Sequence, residues 1–366
     1  MHEFKVRRGQ LYCEQVPVDR IARAVGTPVY IYSYKTLLDH FRKLQRAFRQ
    51  VDPLICFSVK ANSNLAILKI LINHGAGLDI VSGGELYKAL QAGCPPKRIV
   101  YASVGKQPEE IREALRVGIF CFNVESVPEL ETINAEARRL RRLAPVALRI
   151  NPDVPAKTHH YIRTGTAESK FGIDVETATH LVLDRWDEFS SMRLLGFHLH
   201  IGSQITQAHP FVRAIRRVGA LMRQLQRHGF AMKWLNLGGG LGIVYKDERP
   251  QTAEAFAKAV LPWITPLKVK LILEPGRFIV GNAGVLVTKV LYLKGMRGKR
   301  FVVVDAGMND LIRPALYGAY HEVVPTSQDA PERLSRLPRQ SSHASRGLPG
   351  RARPRTQLYD VVGPVC

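Results

Sequence analysis

Cysteine is scarce and scattered in this sequence: Cys13, Cys56, Cys94, Cys121 and Cys366 are spread over 366 residues, and no two form a CxxC pair. An odd set without close pairs supports neither a disulfide framework nor a zinc site, so reduced thiols and no bound metal are expected. Long apolar runs are missing as well. No stretch reaches the roughly 18 residues needed to span a bilayer, and the start, Met1-His-Glu-Phe-Lys, lacks the charged-then-apolar layout of a signal peptide. The expectation is a cytoplasmic chain with no membrane partner. Acidic residues are few beside basic ones, 31 against 53, for a net charge of +22. Such an excess suits either nucleic acid or a field that attracts small anions. The basic residues lack interleaved aromatics and a known reading motif, and much of the excess falls on helical segments such as Phe211–Arg223, where a solvated helix face accounts for it. Nucleic acid is therefore not an expected partner.

What is present is enough apolar material, 46% of residues, for one large domain and a smaller one. Eight strand-length apolar runs follow in series: Leu54 to Val59, Leu78 to Val81, Ile99 to Ala102, Ile119 to Val124, Val146 to Ile150, Leu194 to Leu199, Trp234 to Leu237 and Val269 to Leu273. Most alternate with segments of helical period, such as Leu65-Ala-Ile-Leu-Lys-Ile-Leu-Ile and Thr252-Ala-Glu-Ala-Phe-Ala-Lys-Ala-Val. This pattern predicts an α/β fold, a (β/α)8 TIM barrel over residues 33–278. Residues 1–32 read as short and strand-like, and Val285–Leu293 and Arg300–Asp305 as strands without intervening helices; 1–32 and 279–366 together predict a second, β-rich domain.

A barrel carries its chemistry just after the C-terminal ends of its strands. Lys60, Ser82-Gly-Gly-Glu, Glu125-Ser, Asn151-Pro, His200-Ile-Gly-Ser, Gly238-Gly-Gly and Glu274-Pro-Gly-Arg all stand at such places. Lys60 at a poorly solvated strand exit would have a lowered pKa and act as the amine that attacks an aldehyde; taken alone, it reads far more readily as an ordinary surface lysine. Gly238, Gly239 and Gly240 could bring backbone N–H groups to a phosphate, or simply turn the chain. Glu274 could accept a hydrogen bond from a protonated pyridine nitrogen, and Arg277 could grip a carboxylate or phosphate; a salt-bridge pair is the plain alternative. His200 could stack on a flat cofactor and Ser203 could donate to its phosphate. Together, in one barrel, these candidates favour a pyridoxal 5'-phosphate site.

On the motifs Phe57-Ser-Val-Lys-Ala-Asn, Leu78-Asp-Ile-Val-Ser-Gly-Gly-Glu-Leu, Arg149-Ile-Asn-Pro, Ser169-Lys-Phe-Gly, Gly196-Phe-His-Leu-His-Ile-Gly-Ser-Gln, Leu237-Gly-Gly-Gly-Leu-Gly and Glu274-Pro-Gly-Arg, the sequence resembles the fold-type III pyridoxal-phosphate decarboxylases. The resemblance implies pyridoxal phosphate as cofactor, with Lys60, His200, Ser203, Gly238, Gly239, Gly240, Glu274, Pro275, Gly276 and Arg277 around it. Asp305-Ala-Gly-Met-Asn-Asp-Leu-Ile-Arg-Pro-Ala-Leu-Tyr is similar to the branch that converts meso-diaminopimelate to lysine and carbon dioxide, with Arg277, Arg313 and Tyr317 on the substrate. Arginines suit a substrate with a carboxylate at its far end. A related decarboxylase of another basic or diamino acid, or an inactive pyridoxal-phosphate-binding homologue, is the alternative.

The resemblance further implies a homodimer with shared active sites, in which a cysteine after Asp-Val-Val-Gly-Pro gives a proton to the partner's site. Here Asp360-Val-Val-Gly-Pro-Val-Cys366 reaches that cysteine, and the glutamate and serine expected after it are not in the sequence, which reads as a C-terminal truncation. Residues 326–357 are rich in Arg, Pro and Ser and cannot supply core strands. They read as a disordered basic insertion or a local reading-frame shift; abrupt composition changes at both edges favour the second.

Overall fold

The computed structural model describes residues 3–154, 170–296, 299–327 and 359–365. The Arg/Pro/Ser-rich stretch from residue 328, Ser169 and Cys366 lie outside the described residues. The chain divides into two units, one comprising Leu37–Val244 and Glu248–Gly281, the other Met1–Thr36, Tyr245–Asp247 and Asn282–Cys366.

The first unit is a closed barrel of parallel strands: β1 Leu54–Ser58, β2 Gly77–Ile80, β3 Ile99–Tyr101, β4 Cys121–Val124, β5 Ala144–Asn151, β6 Met192–His198, β7 Trp234–Asn236 and β8 Lys270–Leu273. Each pairs with the next, and β8 pairs with β1 to complete the ring. The expected runs and the observed strands agree to within two residues at each end. Helices α1 Leu65–Asn73, α2 Gly83–Gln91, α3 Pro108–Val117, α4 Val127–Arg139, α5 Val175–Asp184, α6 His209–Arg227, α7 Ala253–Ile264 and α8 Arg277–Val280 follow the strands in turn.

Helix starts are written locally. Ser82, Ser126, Asp174 and Thr252 each accept a hydrogen bond from the N–H three residues on, and Gln107 with Glu110 forms a capping box. Ser82-Gly-Gly-Glu is thus a helix start, with Glu85 reaching back to the Val81 N–H at 2.8 Å. On α6 the apolar stripe of Phe211, Ile215, Val218 and Met222 is buried, while Arg213, Arg216, Arg217 and Arg223 are exposed as a solvated face.

Strand periodicity of two sorts the side chains. Phe57, Leu78, Phe122, Leu148 and Phe197 are fully buried on the helix-facing side. Their alternates turn inward, and the inner wall has two levels. Cys56, Val100 and Ile272, with Leu54, Phe120 and Trp234, plug the N-terminal end, beside a second cluster of Cys121, Ala147 and Leu195. Two residues further along the strands stand Ser58, Asn123, Arg149, Asn236 and Glu274, all buried and polar. A Cβ on Gly196 would meet the Trp234 carbonyl oxygen at 1.8 Å, so β6 can press against β7 only as glycine.

The second unit is built mainly of antiparallel sheet. Phe4–Arg7, Gln10–Cys13 and Val16–Pro17 form one sheet, Val29–Tyr32 pairs with Gly284–Val287, and Val290–Met296, Lys299–Val304 and Asp360–Val362 form a third. Phe4, Leu11, Cys13, Val18, Ile31 and Val287 make its core. Reading the first 32 residues as strands alone missed a helix, Val18–Val25. Its Val18, Ile21, Ala22 and Val25 carry the helical spacing, and Val18, Ile21 and Ala22 pack into that core. Asp305 ties this unit together, accepting hydrogen bonds from Thr27 Oγ1, Thr288 Oγ1 and the Lys289 N–H at 2.5–2.8 Å.

Candidate active site

Lys60 lies in a single helical turn, Val59–Ala61, directly after β1. Its Nζ is 3.0 Å from Asp79 Oδ2 on β2, and the same oxygen accepts from Ser58 Oγ at 2.7 Å. Asp79 is fully buried, and its Oδ1 has no hydrogen-bond partner. Burial works to lower the Lys60 pKa, but Asp79 and then Glu274 outweigh it, and the net shift is upward. This corrects the expectation of a lowered lysine: a buried carboxylate at contact distance stabilises the ammonium more than the site destabilises it. Burial in turn pushes the Asp79 carboxyl up, with Lys60 pulling against it.

Glu274, one residue past β8, accepts from Asn123 Nδ2 at 2.9 Å and Asn236 Nδ2 at 2.6 Å through Oε1, and from His198 Nε2 at 3.0 Å through Oε2. Burial pushes its carboxyl up, but His198, Lys60 and the Asn236 hydrogen bond pull it down to about 2. It is a buried carboxylate held ionised.

Arg149 on β5 pairs with Glu125 at 2.6 Å and donates to the His200 carbonyl at 3.3 Å. His200 follows β6, and its Nδ1 accepts from the Gly239 N–H at 3.2 Å. An accepting Nδ1 puts the ring proton on Nε2. Burial, with Arg149 and Lys60 adding to it, holds the imidazole well below the usual histidine range, so His200 is a neutral flat ring.

The turn after β7 approaches its neighbours too closely for side chains. A Cβ on Gly238, Gly239 or Gly240 would meet the carbonyl oxygens of Leu199, Glu274 or Gly202 at 2.2, 2.2 and 2.3 Å. The Gly238 N–H is given to Asn236 Oδ1 at 2.8 Å and the Gly239 N–H to His200, so part of the loop's donor set is engaged in shaping the turn. Ser203 Oγ accepts from Arg277 Nη2 at 3.1 Å, and a Cβ on Gly276 would reach Ala61 and Ser58 at 3.0 and 3.2 Å. Pro275 accepts from the Ser58 N–H at 3.1 Å.

Lys60, His200, Ser203, Gly238–Gly240, Glu274, Pro275, Gly276 and Arg277 are thus brought together at one end of the barrel. Arg313 and Tyr317 belong to the second unit, where the Arg313 guanidinium lies over the rings of Tyr245 and Tyr317 at 4.8 and 5.6 Å. Asp79, Asn123, Arg149, His198 and Asn236 were not singled out from sequence. The signal was there: each is a polar residue between two apolar ones inside a strand, costly to bury unless paired. Among the described residues no group of three or more His, Cys, Asp or Glu is arranged to hold a metal, and no helix is long and apolar enough to cross a membrane.

Residues 34–281 match the pyridoxal binding domain of the pyridoxal-dependent decarboxylases. The chain is 48% identical to diaminopimelate decarboxylase of Neisseria meningitidis over 86% of its own length and 75% of that protein's. It is 42% identical to the Aquifex aeolicus diaminopimelate decarboxylase over 99% of its length and 80% of that protein's. The crystal structure of diaminopimelate decarboxylase from Helicobacter pylori complexed with L-lysine superposes with a TM-score of 0.83 at 37% identity, covering 95% of this chain and 81% of that one.

Proposed function

This chain belongs to the pyridoxal-dependent decarboxylases, and we propose that it removes one carboxyl group from meso-diaminopimelate to give L-lysine and carbon dioxide, the last step of bacterial lysine biosynthesis. The observation that carries this reading is the Lys60–Asp79 pair standing beside the buried, ionised Glu274. The alternative substrates have no comparable support: the relatives of 40–48% identity are diaminopimelate decarboxylases.

The residues fit pyridoxal phosphate. The glycine turn is a cradle that any Cβ would fill, Asp79 keeps an orphaned buried oxygen, and Glu274 is a buried anion. Once bound, pyridoxal phosphate supplies an aldehyde and an electron-withdrawing ring that takes up the electron pair released as carbon dioxide leaves. Lys60 must shed a proton from Nζ before it can attack an aldehyde, and Asp79 Oδ2 at 3.0 Å is the acceptor beside it. Glu274 would hold a protonated ring nitrogen, and the neutral His200 ring would stack on the cofactor face. Ser203, Gly238–Gly240, Gly276 and Arg277 would bind phosphate. Arg277, Arg313 and Tyr317 are assigned to the substrate's carboxylate and amino groups.

Cys366 is assigned as the donor that reprotonates the carbon left by carbon dioxide, acting in the other subunit of a homodimer. The protein's place is the cytoplasm, with residues 33–278 as the cofactor domain and 1–32 with 279–366 as the β-rich domain. The test is the purified chain loaded with pyridoxal phosphate. A visible absorbance band that Lys60→Ala abolishes, together with lysine release from meso-diaminopimelate, is the expected outcome. A band without lysine release would instead make this a pyridoxal-phosphate-binding homologue, and no band would sink the proposal.

A further inference from the structure

Glu274 is held by a histidine where a third amide would have sufficed for hydrogen bonding. Its Oε1 already takes two amide donors, Asn123 and Asn236, while His198 Nε2 donates to Oε2 at 3.0 Å. The four side chains come from β4, β6, β7 and the end of β8 and are 0–3% exposed. His198 Nδ1 is buried without a partner. An orphaned ring nitrogen in the barrel interior costs stability, and a neutral imidazole that donates from Nε2 leaves Nδ1 an unanswered acceptor. What an imidazole adds is the capacity to carry charge.

The charges of the barrel interior show where that capacity is needed. Arg149 pairs with Glu125 and Lys60 with Asp79. Glu274 is the carboxylate left without a lysine or arginine in contact, and the group on its Oε2 is His198, which forms an ion pair with it only when the ring is protonated. The other titratable groups facing the pair are Cys56 and Lys60 from β1 and the turn after it, Asp79 from β2, Cys121 from β4, Arg149 from β5 and His200 after β6. The Asp79 carboxylate opposes a charge on Glu274, and the two cations are already engaged. Oε1 is filled by two donors, whereas Oε2 has one donor and a lone pair to spare.

We infer that His198 is a positioning residue that keeps Glu274 ionised and leaves Oε2 free to receive the proton-bearing ring nitrogen of the cofactor. This rests on the reading of the barrel as a pyridoxal phosphate site. The Leu199 between them points to the helix layer, so His198-Leu-His200 supplies two imidazoles to one inner wall. His198 serves the ring nitrogen through Glu274, and His200 serves the ring face.

The test uses the full chain with His198→Asn, which keeps an N–H donor and cannot carry charge, alongside Glu274→Gln and the double variant. In the apo chain, the acid limb of stability should move to higher pH in His198→Asn, with no such shift when Glu274 is already Gln. In the loaded chain, affinity for pyridoxal phosphate, read by visible absorbance, should fall about tenfold, with kcat for lysine release falling similarly and KM changing less than about threefold. Adding His198→Asn to Glu274→Gln should cost nothing further. Wild-type affinity, kcat and acid limb in His198→Asn would overturn the inference. So would a loss of stability equal at every pH, which marks a merely structural side chain. If the wild-type chain takes up no pyridoxal phosphate, the cofactor reading fails, while the apo acid limb still decides whether His198 holds the charge of Glu274.

Discussion

Lys106, in the loop between β3 and α3, is a costly side chain to disturb. Its side chain is 0% exposed, and Nζ donates to the carbonyls of Ser103 and Asn123, each at 2.8 Å, and to Glu129 Oε1 at 2.6 Å. Glu129 is itself buried, and its second oxygen accepts from the Glu125 N–H at 3.0 Å. Lys106→Met keeps most of the apolar stem but removes Nζ, with its cation–π contact to Tyr101, and leaves a carboxylate and two carbonyls unanswered. Breaking one partner out of a buried ion pair costs about 3–5 kcal/mol, and the carbonyl losses overlap with that figure, so a drop of about 4 kcal/mol in unfolding free energy is expected. Burial already pushes the Glu129 carboxyl up. Without Lys106 it rises further, so Glu129 is neutral at low pH and the penalty should be smaller at pH 5 than at pH 8. Lys106→Met with Glu129→Leu removes both charges and should recover about 2 kcal/mol of the loss. Lys43→Met breaks the pair with Asp39, which is 37% and 46% exposed, and should cost no more than about 1 kcal/mol. Urea unfolding followed by tryptophan fluorescence reads all four chains, with the slope checked for constancy. If Lys106→Met matches Lys43→Met, or the double variant is no more stable than the single, the buried-pair reasoning is refuted.

The apo protein should lose stability in two acid stages. His200, held well below the usual histidine range, contributes stability that is complete above about pH 6.5 and declines as the unfolded chain takes up its proton; Glu274, lowered from 4.5 to about 2, contributes stability lost as pH falls between those values, up to about 3 kcal/mol. Circular dichroism against pH should show the second stage missing in Glu274→Gln. Gly239→Ala drives a Cβ into the Glu274 carbonyl oxygen and should cost about 1–3 kcal/mol together with pyridoxal phosphate affinity, whereas Gly105→Ala, with open space around the new Cβ, should leave both unchanged. Asp79→Asn takes away the charge that raises Lys60, so the pH at which Lys60 begins to react with added aldehyde should move down; an unmoved pH profile would show that Asp79 does not hold the ammonium.

The barrel was legible because its strands are short apolar runs separated by capped helices, a pattern fixed by local chemistry. The N-terminal helix Val18–Val25 was not, because its eight residues follow three short strands and span barely two turns, too short a pattern to separate from a further strand. The active-site rim was legible for the same reason as the barrel: Lys60, His200, Gly238 and Glu274 interrupt apolar runs at their ends, where a change in residue type stands out. The inner level was harder. Asp79, Asn123, Arg149, His198 and Asn236 sit inside runs whose alternate residues are buried against helices, so each looks like a lone exception within a good strand. Only closure of the ring shows that these exceptions face one another.

That geometry also explains the failed expectation for Lys60. From sequence, the environment of a strand-end lysine is the apolar run before it, and desolvation alone would lower its pKa. The ion partner that reverses the sign lies 19 residues away on the next strand and becomes a neighbour only when β1 and β2 pair in parallel, which sets Ser58 opposite Asp79. A pKa is set by the nearest charge across the sheet more than by the residues next in sequence. In a barrel, every such neighbour is supplied by register.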